Sequence, residues 1–328
     1  MAPKTPEAVT STVPTSKEKV QPENLPLVWT NITIFIFLHA TAIVGLYYAV
    51  TQPTWQGWVL GVVSSFCSGL GTTAGAHRLW SHRAYKAKLP LRILLMLFNS
   101  LACQNDIYEW SRDHRVHHKF SETTGDPHDI NRGFFFAHMG WLMKKKHPDV
   151  ITKGKTVDCS DLLEDPVIRF QRRFYVPLAF FCGFFIPTFI PVYFWNERIW
   201  FAFITNGILR YVVTLHFTWL INSAAHWRGN KPYNRFMTAV ENIYVTWWAL
   251  GEGFHNYHHT FPHDYATSEY GWNRNFTCMF IDFMAILGQA YDLKSVPKEV
   301  VEKTKLKTGD GTTTFGPSVE ELQKMKQH

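Results

Sequence analysis

Three histidine clusters are the part of this sequence whose residue types and spacing could carry chemistry. They occupy residues 77–82 (His-Arg-Leu-Trp-Ser-His), 114–118 (His-Arg-Val-His-His) and 255–259 (His-Asn-Tyr-His-His). In the second and third clusters the first histidine precedes the others by three and four residues, so on a helix the three imidazoles share one face. Neutral imidazole is the commonest metal ligand in proteins. The spacing therefore predicts metal binding, with each face either serving one ion or dividing its ligands between two.

The number of clustered histidines favours a pair of metal ions. The three clusters contain eight of the 16 histidines, which is more than one ion can bind. Nitrogen ligands suit iron, zinc, copper or nickel, and iron is the choice if the reaction uses oxygen. The residues alone leave that choice open. A single histidine is usually structural, but three clusters with repeated spacing favour a shared metal site.

Carboxylates close to the clusters are predicted to support the imidazoles and not to bridge the ions. Soluble di-iron carboxylate proteins use paired E-x-x-H motifs, and here only Glu252 and His255 have that spacing. We expect the acids to accept hydrogen bonds from imidazoles, or to be helix caps, turn residues and surface charges. They are Glu109, Asp113, Asp126, Asp129, Glu252 and Asp264.

Four apolar runs would position these clusters at a membrane. A bilayer span needs about 20 apolar residues, and the predicted spans are residues 32–50, 58–76, 175–195 and 199–220. A shorter run, Leu89–Cys103, contains Arg92 and is predicted to be an interfacial or buried helix. The sequence therefore predicts an all-α integral membrane protein, with four transmembrane helices capped by a cytosolic helical domain that holds the metals.

Charge places the clusters on the cytosolic side. The segment from His77 to Phe174 has 17 Lys and Arg against 11 Asp and Glu, and positively charged loops tend to stay in the cytosol. The connections Thr51–Gly57 and Asn196–Arg198 are short, so two helical hairpins return the chain to the same side. Both termini are then predicted to be cytosolic.

The ends of the chain differ in composition from the rest. Residues 1–24 are rich in Pro, Thr, Lys and Glu, which predicts a disordered tail and not a cleaved signal peptide. Residues 25–293 form the predicted membrane domain, and residues 294–328 a cytosolic tail outside the core. Lys324–His328 resembles a retrieval signal for the endoplasmic reticulum. Although the net charge is +7, the apolar runs argue against nucleic acid as the partner.

Around the clusters the sequence closely resembles the animal acyl-CoA desaturases, the group containing stearoyl-CoA desaturase, and in particular the insect branch. The resemblance extends from about residue 25 to residue 311. It rests on four motifs: Thr-Ala-Gly-Ala-His-Arg-Leu-Trp-Ser-His (73–82), Glu-Trp-Ser-Arg-Asp-His-Arg-Val-His-His-Lys-Phe-Ser-Glu-Thr (109–123), Asn-Ser-Ala-Ala-His (222–226) and Gly-Glu-Gly-Phe-His-Asn-Tyr-His-His (251–259).

This resemblance implies two Fe2+ ions as the cofactor and no catalytic residues beyond the metal ligands. The implied ligands are His77, His82, His114, His117, His118, His226, His255, His258 and His259, with Asn222 contacting the metal through a water. His226 stands alone in the sequence and is not evident from spacing. It lies four residues after Asn222, so the two can share a helix face.

The resemblance also implies contacts to the acyl-CoA substrate. The implied residues are Asn31, Asn105, Arg112, Asp113, Lys145, Lys146 and Trp219. Cationic side chains suit phosphate groups. This chain has Lys145-Lys146 where mammalian members have Arg-Lys, and lysine offers a point charge in place of a planar fork. An alternative is that Lys144–Lys146 is a solvated run or one that faces lipid headgroups.

The implied reaction inserts a double bond into a saturated long-chain acyl-CoA, using oxygen, during unsaturated fatty acid or pheromone-precursor synthesis. Because no G-x-G-x-x-G motif is present, electrons are expected from cytochrome b5 and its NADH-dependent reductase at the endoplasmic reticulum membrane. Ser65 and Gly69 on the second span are predicted to border the closed end of the acyl tunnel. Small residues in a span can equally serve close helix packing.

Three other functions compete with desaturation. A hydroxylase or an acetylenase could use the same scaffold, because only the fate of the substrate radical differs. A transition-metal transporter would place histidine and aspartate inside several spans, along a path, whereas here the clusters lie at span ends. A scaffold stabilised by metal without catalysis is the third alternative.

Overall fold

A computed structural model describes residues 25–315, which are mostly helical. Four stretches are long and apolar enough to cross a bilayer, which confirms the predicted number of spans. They are Trp29–Thr51, Trp55–Ser81, Tyr175–Trp195 and Ile199–His226. The predicted N-terminal tail and the predicted signal at Lys324–His328 lie outside the described residues.

Three of the spans are longer than their apolar runs, and one has the predicted bounds. The second continues past the predicted end at residue 76 to Ser81, and the fourth past residue 220 to His226. Both extensions contain polar residues that a hydropathy pattern excludes. Helical structure therefore carries His77 and His226 directly on from the membrane-spanning segments.

Wide π-helical turns occur inside three of the spans. They are Gly71–Ser81 in the second, Phe181–Phe185 in the third and Phe203–Leu209 in the fourth. In the second span the π-helix follows the α-helix Trp55–Leu70 and carries the first histidine cluster. Such turns are frequent at functional sites.

The helix Leu89–Ala102 packs along the second span and confirms the prediction for the short apolar run. Leu91, Leu95 and Met96 are buried on one side, whereas Leu89 and Leu97 are exposed on the other. The buried side joins a cluster that includes Trp80 and Ile281. This core lies at the end of the spans that carries the histidines and holds their helices together.

The other elements are short and connect or cap the spans. The further α-helices among the described residues are Ile107–Phe120, Phe134–His138, Pro148–Gly154, Ser160–Glu164, Pro166–Arg173, Ile243–Trp248, His255–Thr260, Phe276–Ile286 and Lys298–Thr308. Short 3-10 turns occupy Ile130–Arg132, Gly140–Leu142 and Ala224–His226. Strands Lys86–Ala87 and Ala290–Tyr291 pair antiparallel, with Lys86 opposite Tyr291.

The segment after Lys294 was expected outside the core, and for residues 298–315 this expectation is wrong. Val301, in the helix Lys298–Thr308, is 3% exposed and packs with Tyr233 and Tyr257. Phe315 contacts Phe254 at a ring-centroid distance of 6.1 Å. The few apolar residues in this Lys- and Glu-rich segment are enough to hold it against the domain.

Candidate metal centre

The helix Ile107–Phe120 brings the second histidine cluster to the centre. Asp106 caps its first turn by accepting a hydrogen bond from the backbone N–H of Glu109 at 3.0 Å. The helix Pro148–Gly154 packs against it from outside. Helical spacing then directs His114, His117 and His118 inward, as the sequence predicted.

Five histidines converge with their Nε2 atoms facing one another. The closest approaches are 2.9 Å between His77 and His258, 2.8 Å between His82 and His114, and 2.9 Å between His258 and His118. The ring nitrogens that face each other in this five-histidine group all lie within 4.8 Å. The group draws on all three sequence clusters.

Four more histidines form a second group beside the first. His255 Nε2 lies 3.0 Å from His226 Nε2 and 3.1 Å from His259 Nε2, and His117 Nε2 lies 3.3 Å from His259 Nε2. The ligand atoms of this four-histidine group also lie within 4.8 Å of one another. The structure thus brings together all nine histidines that the resemblance implied, including the isolated His226.

Two pairs of consecutive histidines are divided between the two groups. His117 and His118 are consecutive on one helix, as are His258 and His259 on another, and each pair contributes one residue to each group. Consecutive helical residues point in directions about 100° apart, so a His-His pair can serve two adjacent centres. His118 and His259 stack at a centroid distance of 4.2 Å where the groups meet.

The outward-facing Nδ1 atoms of three histidines have oxygen partners. His77 Nδ1 lies 3.0 Å from Glu252 Oε2, His117 Nδ1 lies 2.9 Å from Asp126 Oδ1, and His226 Nδ1 lies 3.0 Å from Thr238 Oγ1. A carboxylate can only accept, so in the first two pairs Nδ1 carries the hydrogen. The Nε2 lone pair of a neutral ring then points into the group, as a metal ligand requires.

Arg78 fixes the carboxylate that holds His77. Its guanidinium is fully buried and donates to Glu252 Oε1 at 2.8 Å and to the Tyr265 carbonyl at 2.8 Å. Burial disfavours the charged form of Glu252, but the Arg78 and His77 side chains outweigh burial and lower its pKa to about 2. Glu252 is therefore a carboxylate at neutral pH.

Four imidazoles outside the spans are held neutral. Burial and then repulsion from neighbouring imidazoles lower the pKa of His114, His118 and His258 well below the usual value. The same causes lower the pKa of His255 to about 3. Only the neutral form has a lone pair for a metal, so the site is prepared for cations and not for protons.

The nitrogen spacing fits bound metal ions. Two nitrogens that bind one ion at about 2.1 Å and at right angles lie about 3 Å apart, and the closest approaches here are 2.8–3.3 Å. Without a cation, inward lone pairs at these distances would repel one another. Both groups could therefore hold a metal ion, and a nitrogen-only donor set suits a transition metal.

Of the six carboxylates expected near the imidazoles, two contact the nine histidines, namely Asp126 and Glu252. The other four have partners other than these imidazoles. Glu109 and Asp113 pair with Arg112, Asp129 caps the turn at Asn131, and Asp264 accepts from Tyr257. These roles are the caps, turns and surface charges weighed as the alternative.

Sequence reasoning missed two residues of the centre. His128 is buried, with its ring 4.3 Å from that of His117 and its Nδ1 3.6 Å from Asp126 Oδ1. Its position two residues after Asp126 was the available signal. Thr238, the partner of His226, follows no recognisable motif.

Three of the predicted acyl-CoA contacts meet at one surface. Arg112 donates to Asp113 at 2.8 Å and to Glu109 at 2.8 Å, and Lys146 pairs with the other oxygen of Asp113. The cluster places two cations at the end of the spans that carries the metal centre. Their charges are partly balanced by the two carboxylates.

The other predicted contacts are more dispersed. Asn31 donates to the Leu142 carbonyl at 2.7 Å, and the Lys145 backbone N–H donates to the Pro26 carbonyl. Trp219 is buried against Phe35 on the first span. Asn105 lies in an exposed turn with φ of 73°. Asn222 ends the helix Arg210–Asn222, and its contact through water stays a prediction.

Three histidines form a row separate from the centre. His216 Nε2 lies 3.1 Å from His39 Nε2, and His216 Nδ1 lies 2.9 Å from His138 Nε2. His138 Nδ1 lies 2.9 Å from Ser223 Oγ. These contacts are successive, so their nitrogens do not converge on a point as those of the nine histidines do.

A cavity of 390 Å³ lies between the second and fourth spans, next to the centre. Its wall at this end includes Thr72, Thr73, Ile221 and Leu250. Thr73 is one helical turn before His77, and Ile221 directly precedes Asn222. The cavity therefore leads from the metal centre into the membrane-spanning part of the molecule.

Comparison with known proteins identifies relatives across most of the chain. The family model for fatty acid desaturases matches residues 53–271. The acyl-CoA desaturase of Cyprinus carpio is 54% identical over 306 residues, covering 92% of this chain and 93% of the relative. The acyl-CoA Delta-9 desaturase of Acheta domesticus is 50% identical, covering 91% and 84%. The stearoyl-CoA desaturase of Homo sapiens is 51% identical, covering 92% and 84%.

Proposed function

The chain belongs to the fatty acid desaturase family, and from that membership and the geometry of the centre we propose that it is a fatty acyl-CoA desaturase. It introduces a double bond into a saturated long-chain acyl-CoA. The observation that carries the proposal is the convergence of nine imidazoles in two groups beside a membrane-embedded cavity. The Delta-9 activity in the name of the Acheta domesticus relative supports carbons 9 and 10 as the site.

The cofactor is a pair of iron ions, one in each histidine group. His77, His82, His114, His118 and His258 would hold one, and His117, His226, His255 and His259 the other. When bound, such a pair supplies oxygen activation and removal of two hydrogens from neighbouring methylenes. Support comes from the nitrogen-only donor set and from the neutral state of the imidazoles.

The protein's part in the reaction is to position the chain and exclude water. Glu252 and Asp126 keep the hydrogens of His77 and His117 on Nδ1, and the buried Arg78 prevents the Glu252 carboxylate from turning. The cavity would hold the acyl chain with two methylenes next to the centre. Burial contributes about 0.8 kcal/mol for each methylene removed from water.

The coenzyme A group binds the charged surface at Arg112 and Lys146. Arginine and lysine form charge-assisted hydrogen bonds to phosphate, and both side chains lie at the end of the spans that carries the centre. Asn31, Asn105, Asp113, Lys145 and Trp219 complete the proposed contacts. In the free protein these cations pair with Glu109 and Asp113.

Oxygen reduction to water needs two electrons and two protons in addition to the two substrate hydrogens. The donor is cytochrome b5 with its NADH-dependent reductase. The basic segment between the second and third spans would complement an acidic donor. With this donor, the protein would lie in the endoplasmic reticulum membrane with both termini and the C-terminal segment on the cytosolic side.

Expression in yeast that lacks its own desaturase tests the activity. Cells fed defined saturated fatty acids should form monounsaturated products, with the double bond located by mass spectrometry. His118→Ala should abolish the product. His147→Ala should not, because His147 lies outside both histidine groups. A hydroxylated or acetylenic product, or no product from expressed protein, would contradict the proposal.

A further inference from the structure

The cavity beside the metal centre extends along the second span from its beginning to Thr73. At the end near the centre it is lined by Thr73, and at the opposite end by Pro53 and Thr54, which connect the first and second spans. Thr73 is 16 positions after Gly57 along the chain. At about 1.5 Å per residue, the lining reaches more than 20 Å from the centre.

Small residues keep this space open. Gly57, Gly61, Ser65 and Gly69 all line the cavity and repeat every four residues, so they occupy one face of the span. A Cβ added at Gly61 would have its nearest neighbour, Asn206 Oδ1, at 3.7 Å. The opposing wall on the fourth span therefore does not pack into the groove at Gly61, whereas a Cβ added at Gly69, nearer the centre, would meet Leu250 Cδ1 at 2.6 Å.

Three polar side chains of the lining, Thr205, Arg210 and Thr214, have their hydrogen bonds within the protein. Thr205 Oγ1 donates to the Phe201 carbonyl at 2.8 Å, and Thr214 Oγ1 donates to the Arg210 carbonyl at 2.8 Å. The Arg210 guanidinium donates to the Leu101 carbonyl at 3.0 Å and to the Gly183 carbonyl. None of these groups needs a polar ligand, so the cavity suits a hydrocarbon.

The length of the cavity exceeds what an 18-carbon chain requires. An extended chain with C–C bonds of about 1.5 Å advances roughly 1.3 Å per carbon. The eight carbons beyond C10 of such a chain then need roughly 10 Å. Ser65 lies eight residues from Thr73, which is about 12 Å along the span. The methyl end of an 18-carbon chain would stop near Ser65, and the space at Gly61 and Gly57 would stay empty.

We propose that this cavity holds the methyl-terminal segment of the substrate and admits very long acyl chains, up to roughly 24 carbons. The proposal rests on the acyl-CoA desaturase function and on a double bond at carbons 9 and 10. The fourteen carbons beyond C10 of a 24-carbon chain need roughly 18 Å, which reaches Gly61.

Conversion of acyl-CoAs of graded length by microsomes containing the full chain, with added cytochrome b5 and reductase, tests this inference. The 22- and 24-carbon substrates should be converted at rates within about tenfold of the 18-carbon rate. Conversion of 16 and 18 carbons with none at 22 and 24 would overturn the inference and leave the proposed function intact. Failure of every length would overturn the proposed function and this inference with it.

Two variants shorten the cavity by different amounts. Ser65→Phe fills it near its middle and should reduce 22- and 24-carbon conversion at least about tenfold relative to 16 carbons. Gly61→Leu, one helical turn further from the centre, should preserve 20 carbons and reduce 24 carbons. Each comparison is a ratio within one preparation, so a lower yield of folded protein does not affect it.

Val63→Phe is the matched control, because Val63 is on the same span, 52% exposed, and outside the cavity lining. It should leave the length profile unchanged. A uniform loss at all lengths in Ser65→Phe and Gly61→Leu, or an unchanged 24-carbon rate in both, would overturn the inference.

Discussion

At the residue scale, the centre depends on which nitrogen of each imidazole carries hydrogen. Glu252 and Asp126 accept from Nδ1 of His77 and His117 and leave Nε2 free to bind metal. Partners of this kind typically contribute 10- to 100-fold to metal affinity. The two carboxylates therefore belong to the metal centre, although neither lies among the converging nitrogens.

Asp126→Asn tests this role without a change in side-chain size. Loss of the charge next to His117 should weaken iron retention about tenfold, measured as iron per chain against increasing concentrations of a competing chelator. Asp129→Asn is the control, because Asp129 is buried three residues away and accepts from Asn131 instead of an imidazole. Equal iron loss in both variants would show that the Asp126 contact is irrelevant to the metal.

Glu241 is a buried carboxyl that makes stability depend on pH. Burial raises its pKa to about 8, above the ordinary value of about 4.3 in an unfolded chain. The stability gained by keeping this group neutral is complete below the ordinary value and is lost as pH rises through about 8. Wild type should thus lose a few kcal/mol relative to Glu241→Gln between about pH 4 and pH 9.

Thermal unfolding of the detergent-solubilised protein across this range measures the effect. The unfolding temperature of the wild type, relative to that of Glu241→Gln, should fall as pH rises. The exposed Glu302 provides a control, and Glu302→Gln should give a curve parallel to wild type. Parallel curves for Glu241→Gln as well would contradict a neutral buried carboxyl.

At the element scale, the π-helix at the end of the second span sets the position of the first histidine cluster. It begins at Gly71, where the helix Leu89–Ala102 crosses very closely. A Cβ at Gly71 would lie 2.2 Å from the Asn99 backbone nitrogen and 2.3 Å from the Phe98 carbonyl carbon. Backbone atoms cannot move aside as a flexible side chain can, so this crossing requires glycine.

Gly71→Ala should therefore separate the two helices and destabilise the protein by at least about 2 kcal/mol. The measurement is the thermal unfolding midpoint in detergent. Gly61→Ala, on the same span with its nearest contact at 3.7 Å, should be tolerated. A Gly71→Ala midpoint equal to that of wild type would mean that the helices do not approach this closely.

Local patterns explain which elements were predictable from the sequence. The four spans follow from apolar runs, and the inward direction of His114, His117 and His118 follows from helical spacing. The extensions of the spans to Ser81 and His226 were not predictable, because hydropathy falls there while tertiary packing keeps the chain helical. The partners His128 and Thr238 depend on contacts between distant segments, and spacing along the chain does not record these.

At the scale of the whole molecule, two regions with different surroundings meet at one end of the spans. On one side, imidazoles from the second span, the helix Ile107–Phe120, the end of the fourth span and the helix His255–Thr260 converge. On the other side, the cavity between the second and fourth spans offers an apolar space. A hydrocarbon held in this cavity would have its methylenes beside the metals and away from water, as oxidation of an unactivated C–H bond requires.

The iron content of the purified protein tests the central claim most directly. Protein from iron-supplied cells, measured by elemental analysis against amino-acid analysis, should contain two iron ions per chain. His118→Ala should lower this number, and His216→Ala, whose side chain lies in the separate row, should not. Less than one iron per chain in the wild type, or iron content unaffected by His118→Ala, would contradict the account.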